Sequence, residues 1–324
     1  MVFKKQLNLI LRLFISLGLV FILFKIVPYR ELISQFKEVN PVFVIASFLI
    51  FVSLHILGVW RWQVGLSALG LKIKFKDLFF LLFCGLFFNL IFPSVIAQDV
   101  FRGGLLGLKE KGAYRKVAAS LVIDRFSGYF ALSLVAIISF LLGRSLIQEK
   151  SVALAVFLLF LGVLFAALFI FNKRFFHSLV FFSHRFPSFK SRISEFHDYL
   201  YVFRRDFLSF FKVFLLSLVI QILVPLSIYI LALAFGLSPG PFIFFILVPI
   251  IMAVATVPVT IAGIGTREAL MVYFFSKVGI AESVALGISL IHLLFILTLG
   301  ISGGILYVAF YSRRIQSYQQ NPPD

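Results

Sequence analysis

Residues 213–266 read VFLLSLVIQILVPLSIYILALAFGLSPGPFIFFILVPIIMAVATVPVTIAGIGT and contain no charged side chain. A helix that crosses a bilayer needs about 20 apolar residues, so this stretch is long enough for two such segments. The motif Ser238-Pro239-Gly240-Pro241 in its middle is typical of a turn and divides the stretch in two. We therefore predict an all-α polytopic membrane protein.

The composition of the whole chain agrees with this class. Of its 324 residues, 61% are apolar and 13% are charged, whereas a soluble domain is about half apolar and about a quarter charged. These values exclude a water-soluble enzyme built on one buried core. The net charge of +17 indicates cytoplasmic loops that face anionic headgroups rather than a nucleic-acid partner, because the excess base accompanies long apolar segments.

Stretches without charge place the other spans, since each is about as long as a bilayer-crossing helix requires. An N-terminal segment over 7–27 resembles a signal peptide but lacks a small-residue cleavage site, so we predict an uncleaved first span. With it, six spans are predicted: 7–27, 39–60, 126–143, 151–172, the part of 213–266 before the turn, and 283–312.

Two apolar segments, 78–98 and 242–261, fit a simple crossing poorly. The first runs into Pro93 and the second into Pro258, and proline removes a backbone donor and interrupts a helix. Backbone broken at membrane depth persists only where protein or a water-filled cavity satisfies it. We therefore predict that both segments form re-entrant helical hairpins rather than spans.

The positive-inside rule gives these elements an orientation. With both termini cytoplasmic and the two hairpins entering from opposite faces, 21 of the 30 Lys and Arg residues lie on the cytoplasmic side. Arg61, at the end of the second span, is counted among them. Six basic residues lie outside, and Arg102, Arg125 and Arg267 lie within the membrane.

The two broken segments also resemble each other. Residues 93–102 align without gaps to 258–267, and Pro, Ile, Ala and Arg coincide at four of the ten positions. Each segment precedes a long apolar helix, and the predicted topology inverts one copy relative to the other. Inverted repeats whose broken helices meet near the midplane are typical of transporter binding sites.

Six charged residues are predicted at membrane depth, where each costs roughly 2.5–3.5 kcal/mol on insertion scales. They are three acids and three bases that can neutralise one another, namely Asp99, Arg102, Asp124, Arg125, Arg267 and Glu268. Asp124 and Arg125 are adjacent and point about 100° apart around a helix, so we expect each to have a different partner.

We predict that these six residues bind a lipid headgroup. A guanidinium matches phosphate in two bonds, so Arg102 and Arg267 are the candidate anion ligands, and the acids beside them orient them or exchange protons. Glycines allow backbone N–H groups to approach the same anion, and the candidates are Gly103, Gly104, Gly263 and Gly265. The alternative is that the charges pair only to hold the bundle together.

The sequence offers no catalytic motif. It contains no phosphate-loop, nucleophile-elbow or zinc-binding HExxH pattern, so no catalytic residue, metal site or cofactor is predicted. Two other functions stay open. One is ion-coupled transport of a small solute through Asp99, Asp124 or Glu268, and the other is an intramembrane enzyme that acts on lipid-linked phosphate with Asp124 or His292 as base.

One set of motifs extends over nearly the whole chain. It consists of Asn89, Pro93, Asp99 and Arg102, then Asp124-Arg125 and Gly128, and finally Pro258 with Ala262-Gly263-Ile264-Gly265-Thr266-Arg267-Glu268. In these residues the chain resembles the flippase-like transmembrane region of the lysylphosphatidylglycerol synthase family. The first motif departs from the family pattern, which usually has glycines where this chain has Ser94, Ala97 and Gln98.

The resemblance implies a transmembrane domain over 1–314 and a short polar cytoplasmic tail over 315–324. It further implies a bacterial or archaeal inner-membrane protein that moves a lipid between leaflets, with an anionic or zwitterionic headgroup as its ligand. Bifunctional members carry a soluble aminoacyltransferase domain after the membrane region, and this chain ends soon after its last span. We therefore expect no lysyltransferase activity, and a homo-oligomer or a separate lipid-modifying enzyme stays an open partner.

Overall fold

A computed structural model describes residues 29–311, apart from 93–95, 111, 148, 181–186, 239 and 257–264, together with Gly18, Lys25 and Val27. The elements in these residues are helices, which confirms the predicted all-α class. They are α1 (Tyr29–Glu38), α2 (Pro41–Ala68), α3 (Phe75–Ile91), α4 (Ala97–Lys109), α5 (Tyr114–Leu142), α6 (Lys150–Phe171), α7 (Lys173–Val180), α8 (Pro187–Arg205), α9 (Phe207–Ala234), α10 (Pro241–Ala255), α11 (Thr266–Lys277) and α12 (Glu282–Leu306), which continues into a π-helical turn (Tyr307–Tyr311).

Five of the described helices are long and apolar enough to cross a membrane, namely α2, α5, α6, α9 and α12. They coincide with five of the six predicted spans, so the protein is a multi-pass membrane protein. Apart from Gly18, Lys25 and Val27, the predicted first span lies outside the described residues, and so does the C-terminal tail. Local signals set where α2 begins, because the Asn40 side chain accepts a hydrogen bond from the Val42 N–H and Pro41 occupies the first turn.

The first broken segment is an antiparallel pair of helices, α3 and α4. Asn89 and Gln98 hydrogen-bond to each other beside the break, with the Gln98 N–H donating to Asn89 Oδ1 over 2.9 Å. At the other end Lys109 contacts Asp77 over 2.7 Å, so the chain enters and leaves this hairpin at the same end. With 17 and 13 residues, the helices are about 25 and 20 Å long, less than the roughly 30 Å of a bilayer core.

The second broken segment, α10 and α11, has the same shape. The Phe244 ring, near the start of α10, contacts the Phe275 ring near the end of α11, with 5.2 Å between the ring centroids. These helices have 15 and 12 residues, and they too are shorter than a bilayer core is thick. Helix α10 continues through Pro249. The predicted breaks at Pro93 and Pro258 lie outside the described residues.

The packing of these helices follows a repeated pattern. Helix α2 packs along α9. Helix α5 packs against α4 of its own hairpin and against α10 of the other hairpin, while α12 packs against α11 of its own hairpin and against α3 of the other. If α2, α3, α4 and α5 trade places with α9, α10, α11 and α12 in that order, the same set of contacts results. The interior between the two sets is where charged and polar side chains converge.

Candidate functional site

Five charged residues from α2, α4 and α5 form one ion cluster: Arg61, Asp99, Arg102, Asp124 and Arg125. Asp124 accepts hydrogen bonds from Arg61 Nε over 2.7 Å and from Arg102 Nη2 over 2.8 Å. Asp99 accepts from Arg102 Nε over 2.9 Å and from Arg125 Nε over 2.6 Å. Arg102 therefore bridges the two carboxylates, and the cluster ties three helices together.

Helical periodicity explains this arrangement. Asp99 and Arg102 lie three residues apart on one face of α4, where side chains meet. Asp124 and Arg125 are neighbours on α5 that point in different directions, and they bind different partners, as predicted. The Arg102 guanidinium also stacks over the Trp62 ring, 4.6 Å from its centroid. Trp62 Nε1 in turn donates to Ser120 Oγ over 3.0 Å, which fixes the ring.

Arg61 is the member of this cluster that is missing from the predicted site residues. Its side chain is only 14% exposed, whereas it was assigned to the cytoplasmic side. The rule that ends a span at the first charge caused the error, because α2 continues to Ala68. Two features of the sequence indicate this role of Arg61. Asp124, an acid predicted at membrane depth, needs a basic partner, and apolar residues resume after Gln63, so the helix can continue past Arg61.

The cluster carries an excess of positive charge. It contains three guanidinium groups and two carboxylates. The two carboxylates balance two of the three positive charges, so the net charge of the cluster is +1. The Arg102 and Asp124 side chains are each only 4% exposed, where an uncompensated charge is costly. Such a site favours an anion. Among the described residues, no group of three or more His, Cys, Asp or Glu side chains is placed to hold a metal ion.

A cavity of about 320 Å³ lies against the ion cluster. This volume is within the range of small-ligand pockets. Arg61, Arg102, Asp124 and Arg125 line it. So do side chains from α2, α3, α4, α9, α10 and α12, among which the polar ones are His55, Gln98, Ser227 and His292. The site is therefore a cavity that combines apolar walls with convergent polar groups.

Arg267 belongs to a separate ion pair at the start of α11. Its guanidinium pairs with neighbouring Glu268 over 2.7 Å, and Glu268 Oε2 accepts the Gly265 N–H over 2.6 Å, which closes the first turn of α11. Both side chains are buried. Arg267 is not among the described side chains that line the cavity beside Arg102, and binding of one headgroup by both arginines stays a prediction. Each arginine pairs near the start of its own hairpin helix.

Two of the four glycines near the breaks, Gly103 and Gly265, have structural explanations. A Cβ at Gly103 would lie 2.7 Å from Leu121 Cδ1, so this glycine lets α4 approach α5 closely. Gly104 is exposed and has open space around its Cα. Gly265 has φ +88°, which side chains other than glycine rarely adopt. Gly263 lies outside the described residues, and contact of these glycines with a ligand stays a prediction.

The comparison with known proteins identifies a family. No curated protein and no solved structure matches the chain. The model of one family, described as the lysylphosphatidylglycerol synthase TM region, matches residues 9–304 and thus most of the chain. The described cluster residues all lie inside this range. The chain therefore belongs to the lysylphosphatidylglycerol synthase transmembrane-region family.

Proposed function

We propose that this protein moves an amphiphile with an anionic headgroup between the leaflets of the cell inner membrane, with the head held in the cavity beside the ion cluster. The observation that carries the proposal is a cluster with one excess positive charge that lines a cavity inside the helix bundle, and its members are buried or nearly so except Arg125, which is 37% exposed. A phosphodiester headgroup supplies the compensating charge. We assign no group-transfer step to this chain.

The arginines of the cluster have the capacity to bind such a head. A guanidinium carries five N–H donors. Arg61 donates from Nε to Asp124 and from Nη1 to Ser217, while Arg102 donates from Nε and Nη2 to the two aspartates. Each of these two guanidiniums therefore has N–H groups that these contacts between described residues do not use. A phosphate that enters the cavity can accept them in the paired geometry that arginine favours.

The arrangement of the hairpins supports a transport cycle. The exchange symmetry of the helix contacts is what an inverted repeat produces, and we propose that the two hairpins open toward opposite membrane faces. Both termini are then cytoplasmic. Rocking of one repeat against the other would expose the cavity to each side in turn, as in transporters with inverted repeats.

Reconstituted vesicles test this proposal. A phospholipid labelled on one acyl chain is added to both leaflets, and a membrane-impermeant quencher reports how fast the label reaches the outer leaflet. Arg102→Gln and Arg125→Gln remove donors at the cavity, and each charge-assisted hydrogen bond contributes about 1.5–3 kcal/mol. We therefore expect lipid exchange to slow roughly tenfold or more, since 1.4 kcal/mol is a factor of ten.

The matched control is Arg115→Gln, which removes an arginine from the same helix as Arg125. Arg115 pairs with Glu195 on the surface, and its side chain is 44% exposed, so exchange should continue at the wild-type rate. Unchanged exchange in both cavity variants would refute the proposal. Uptake of a soluble ion-coupled solute that depends on Asp124, or turnover of a lipid-linked phosphate, would establish the alternative functions instead.

A further inference from the structure

Three basic side chains surround the ring of Tyr201 near the end of α8. Lys173 Nζ lies 4.8 Å from the ring centroid, and the guanidinium carbons of Arg204 and Arg205 lie 5.5 and 5.9 Å from it. In the described part of the chain, Asp198 is the one acid in a salt bridge with any of these bases, and it pairs with Lys173 over 2.6 Å. These five residues, here called the Tyr201 site, therefore have a net charge of +2. None of them is among the described side chains that line the cavity.

Contacts with the helix bundle hold the Tyr201 site in place. Arg204 Nη1 donates to the Phe171 carbonyl at the C-terminus of α6 over 2.5 Å, where a cation is favoured. Leu200 and Phe203 of α8 are fully buried and pack in one cluster with side chains of α5, α6 and α9. Because the protein already orders these cations, an anion that binds them loses little free energy in arranging them.

The Tyr201 site lies where the exposed surface changes from apolar to basic. On α9, Phe207 and Phe211 are 66% and 47% exposed, and Phe207 comes two residues after Arg205. On α6, Leu168 is 50% exposed and lies five residues before Lys173. Both helices are long and apolar enough to cross a membrane, so this change marks the edge of the hydrocarbon core. The cations of the site therefore lie at the level of the lipid headgroups.

An exposed apolar stripe continues from the Tyr201 site along one face of α9. Its residues follow one another at intervals of three or four, which places them on the same side of the helix: Phe207, Phe211, Leu215, Val219 and Ile222. The fifteen residues from the first to the last rise about 22 Å, which exceeds half of the roughly 30 Å hydrocarbon core. Cations that adjoin such a stripe match an amphiphile, whereas a soluble anion or an acidic protein would use the cations alone.

We propose that the Tyr201 site binds the phosphate of an anionic phospholipid from the adjoining leaflet, with one acyl chain along the stripe on α9. The paired N–H groups of arginine match phosphate oxygens, and basic residues at the membrane surface attract anionic lipids. A zwitterionic head would bring its ammonium group toward the excess positive charge, so the site should prefer an anionic head. This lipid site is separate from the cavity and does not depend on the proposed function. In the predicted topology the leaflet is the cytoplasmic one.

Photocrosslinking locates the lipid and tests the proposal. The purified full chain is reconstituted into phosphatidylcholine vesicles that contain a variable fraction of phosphatidylglycerol with a photoreactive group near the head end of one acyl chain. Mass spectrometry of the digested protein then identifies the crosslinked peptides. In the wild type we expect crosslinks in the first turns of α9, and a phosphatidylcholine probe with the same photoreactive chain should give far fewer there.

The variant Arg204→Gln with Arg205→Gln removes two of the three cations. Half-maximal crosslinking on α9 should then need roughly 30 times more phosphatidylglycerol, which is about 2 kcal/mol, or about 1 kcal/mol for each arginine. If this variant does not fold, Arg205→Gln alone decides the question, because it keeps the Arg204 hydrogen bond to α6, and a roughly fivefold change is expected. Unchanged crosslinking in the variant, or equal crosslinking of the two probes in the wild type, would overturn the inference.

Lys72→Gln with Lys74→Gln is the charge-matched control, because it removes two exposed positive charges between α2 and α3. Its crosslinking on α9 should equal that of the wild type, and an equal loss would show a general effect of surface charge and overturn the site. Soluble glycerophosphoglycerol is added as a competitor. If it abolishes the crosslinks at equal concentration, a free anion is the ligand and the lipid assignment is wrong, whereas persistence of the crosslinks supports it.

The rate of lipid exchange in the same vesicles separates this inference from the proposed function. The variant Arg204→Gln with Arg205→Gln should exchange lipid at the wild-type rate, since neither residue lines the cavity. Slower exchange would make these arginines part of the transport path and overturn a separate site. Absence of exchange in the wild type would refute the proposed function, while charge-selective crosslinks on α9 would still establish the Tyr201 site.

Discussion

At the scale of single residues, Asp124 is the acid that balances two arginines at once. Asp124→Asn keeps the shape of the side chain but leaves Arg61 and Arg102 without that charge. Removal of one partner from a buried ion pair costs about 3–5 kcal/mol, because the other charge stays buried. We expect a loss of this size in the free energy of unfolding, measured by chemical denaturation of the purified protein in detergent.

Asp77→Asn is the matched control for this substitution. It removes an aspartate that pairs with Lys109 where both side chains are substantially exposed, 32% and 45%. An exposed ion pair contributes about 0–1 kcal/mol, so this variant should remain close to the wild type. Equal losses in the two variants would contradict the assignment of a buried, mutually dependent ion cluster.

At the scale of helices, the contact between α12 and α3 depends on small residues. A Cβ at Gly303 would collide with the Phe83 carbonyl oxygen, which is backbone and cannot rotate away. Gly303→Ala should therefore force the two helices apart. Overpacking of this kind costs about 1–3 kcal/mol, and we expect a lower thermal midpoint together with slower lipid exchange.

Gly162→Ala on α6 provides the comparison for that variant. No heavy atom of another element lies within 4 Å of the Cβ that this substitution adds. Alanine is also a better helix former than glycine, so this variant should unfold at the same temperature as the wild type or slightly higher. A neutral Gly303→Ala variant would show that α12 and α3 do not pack as closely as described.

At the scale of the whole molecule, the two hairpins should open to opposite sides of the membrane. Cys84 is the single cysteine and is replaced by alanine to give a background without thiols. Single cysteines are then placed at both ends of each hairpin, at Lys76 and Glu110 for the first and at Gly240 and Lys277 for the second. We expect a membrane-impermeant thiol reagent to label the first pair only from the cytoplasmic side and the second pair only from outside.

The result that opposes this topology is equally specific. If Lys76→Cys and Glu110→Cys are labelled from different sides, the first hairpin crosses the membrane and the inverted repeat is wrong. A cysteine at Asp198, an exposed position on α8, serves as the reference for the cytoplasmic face. The basic segment between α6 and α9 is cytoplasmic in the predicted topology, by the positive-inside rule.

How far the sequence alone could go is clear from particular elements. The uncharged stretches predicted α2, α5, α6, α9 and α12, because insertion into a bilayer depends on the composition of about 20 consecutive residues. The two breaks were also visible, since proline and glycine act locally on the backbone. Most members of the ion cluster were recognisable one by one, because a charge inside an apolar segment is costly wherever it lies, but Arg61 was missed.

Only the tertiary structure decided which of these groups meet. Arg61 and Asp124 are far apart in sequence, and their pairing depends on how α2 packs on α5. The sequence could not show that Arg267 forms an ion pair with its neighbour Glu268 at the start of α11, whereas Arg102 pairs with acids on two helices. That His292 Nδ1 has no hydrogen-bond partner among the described residues became apparent only with the packing around it. Long-range packing sets these contacts, and no local pattern encodes which distant face a helix will meet.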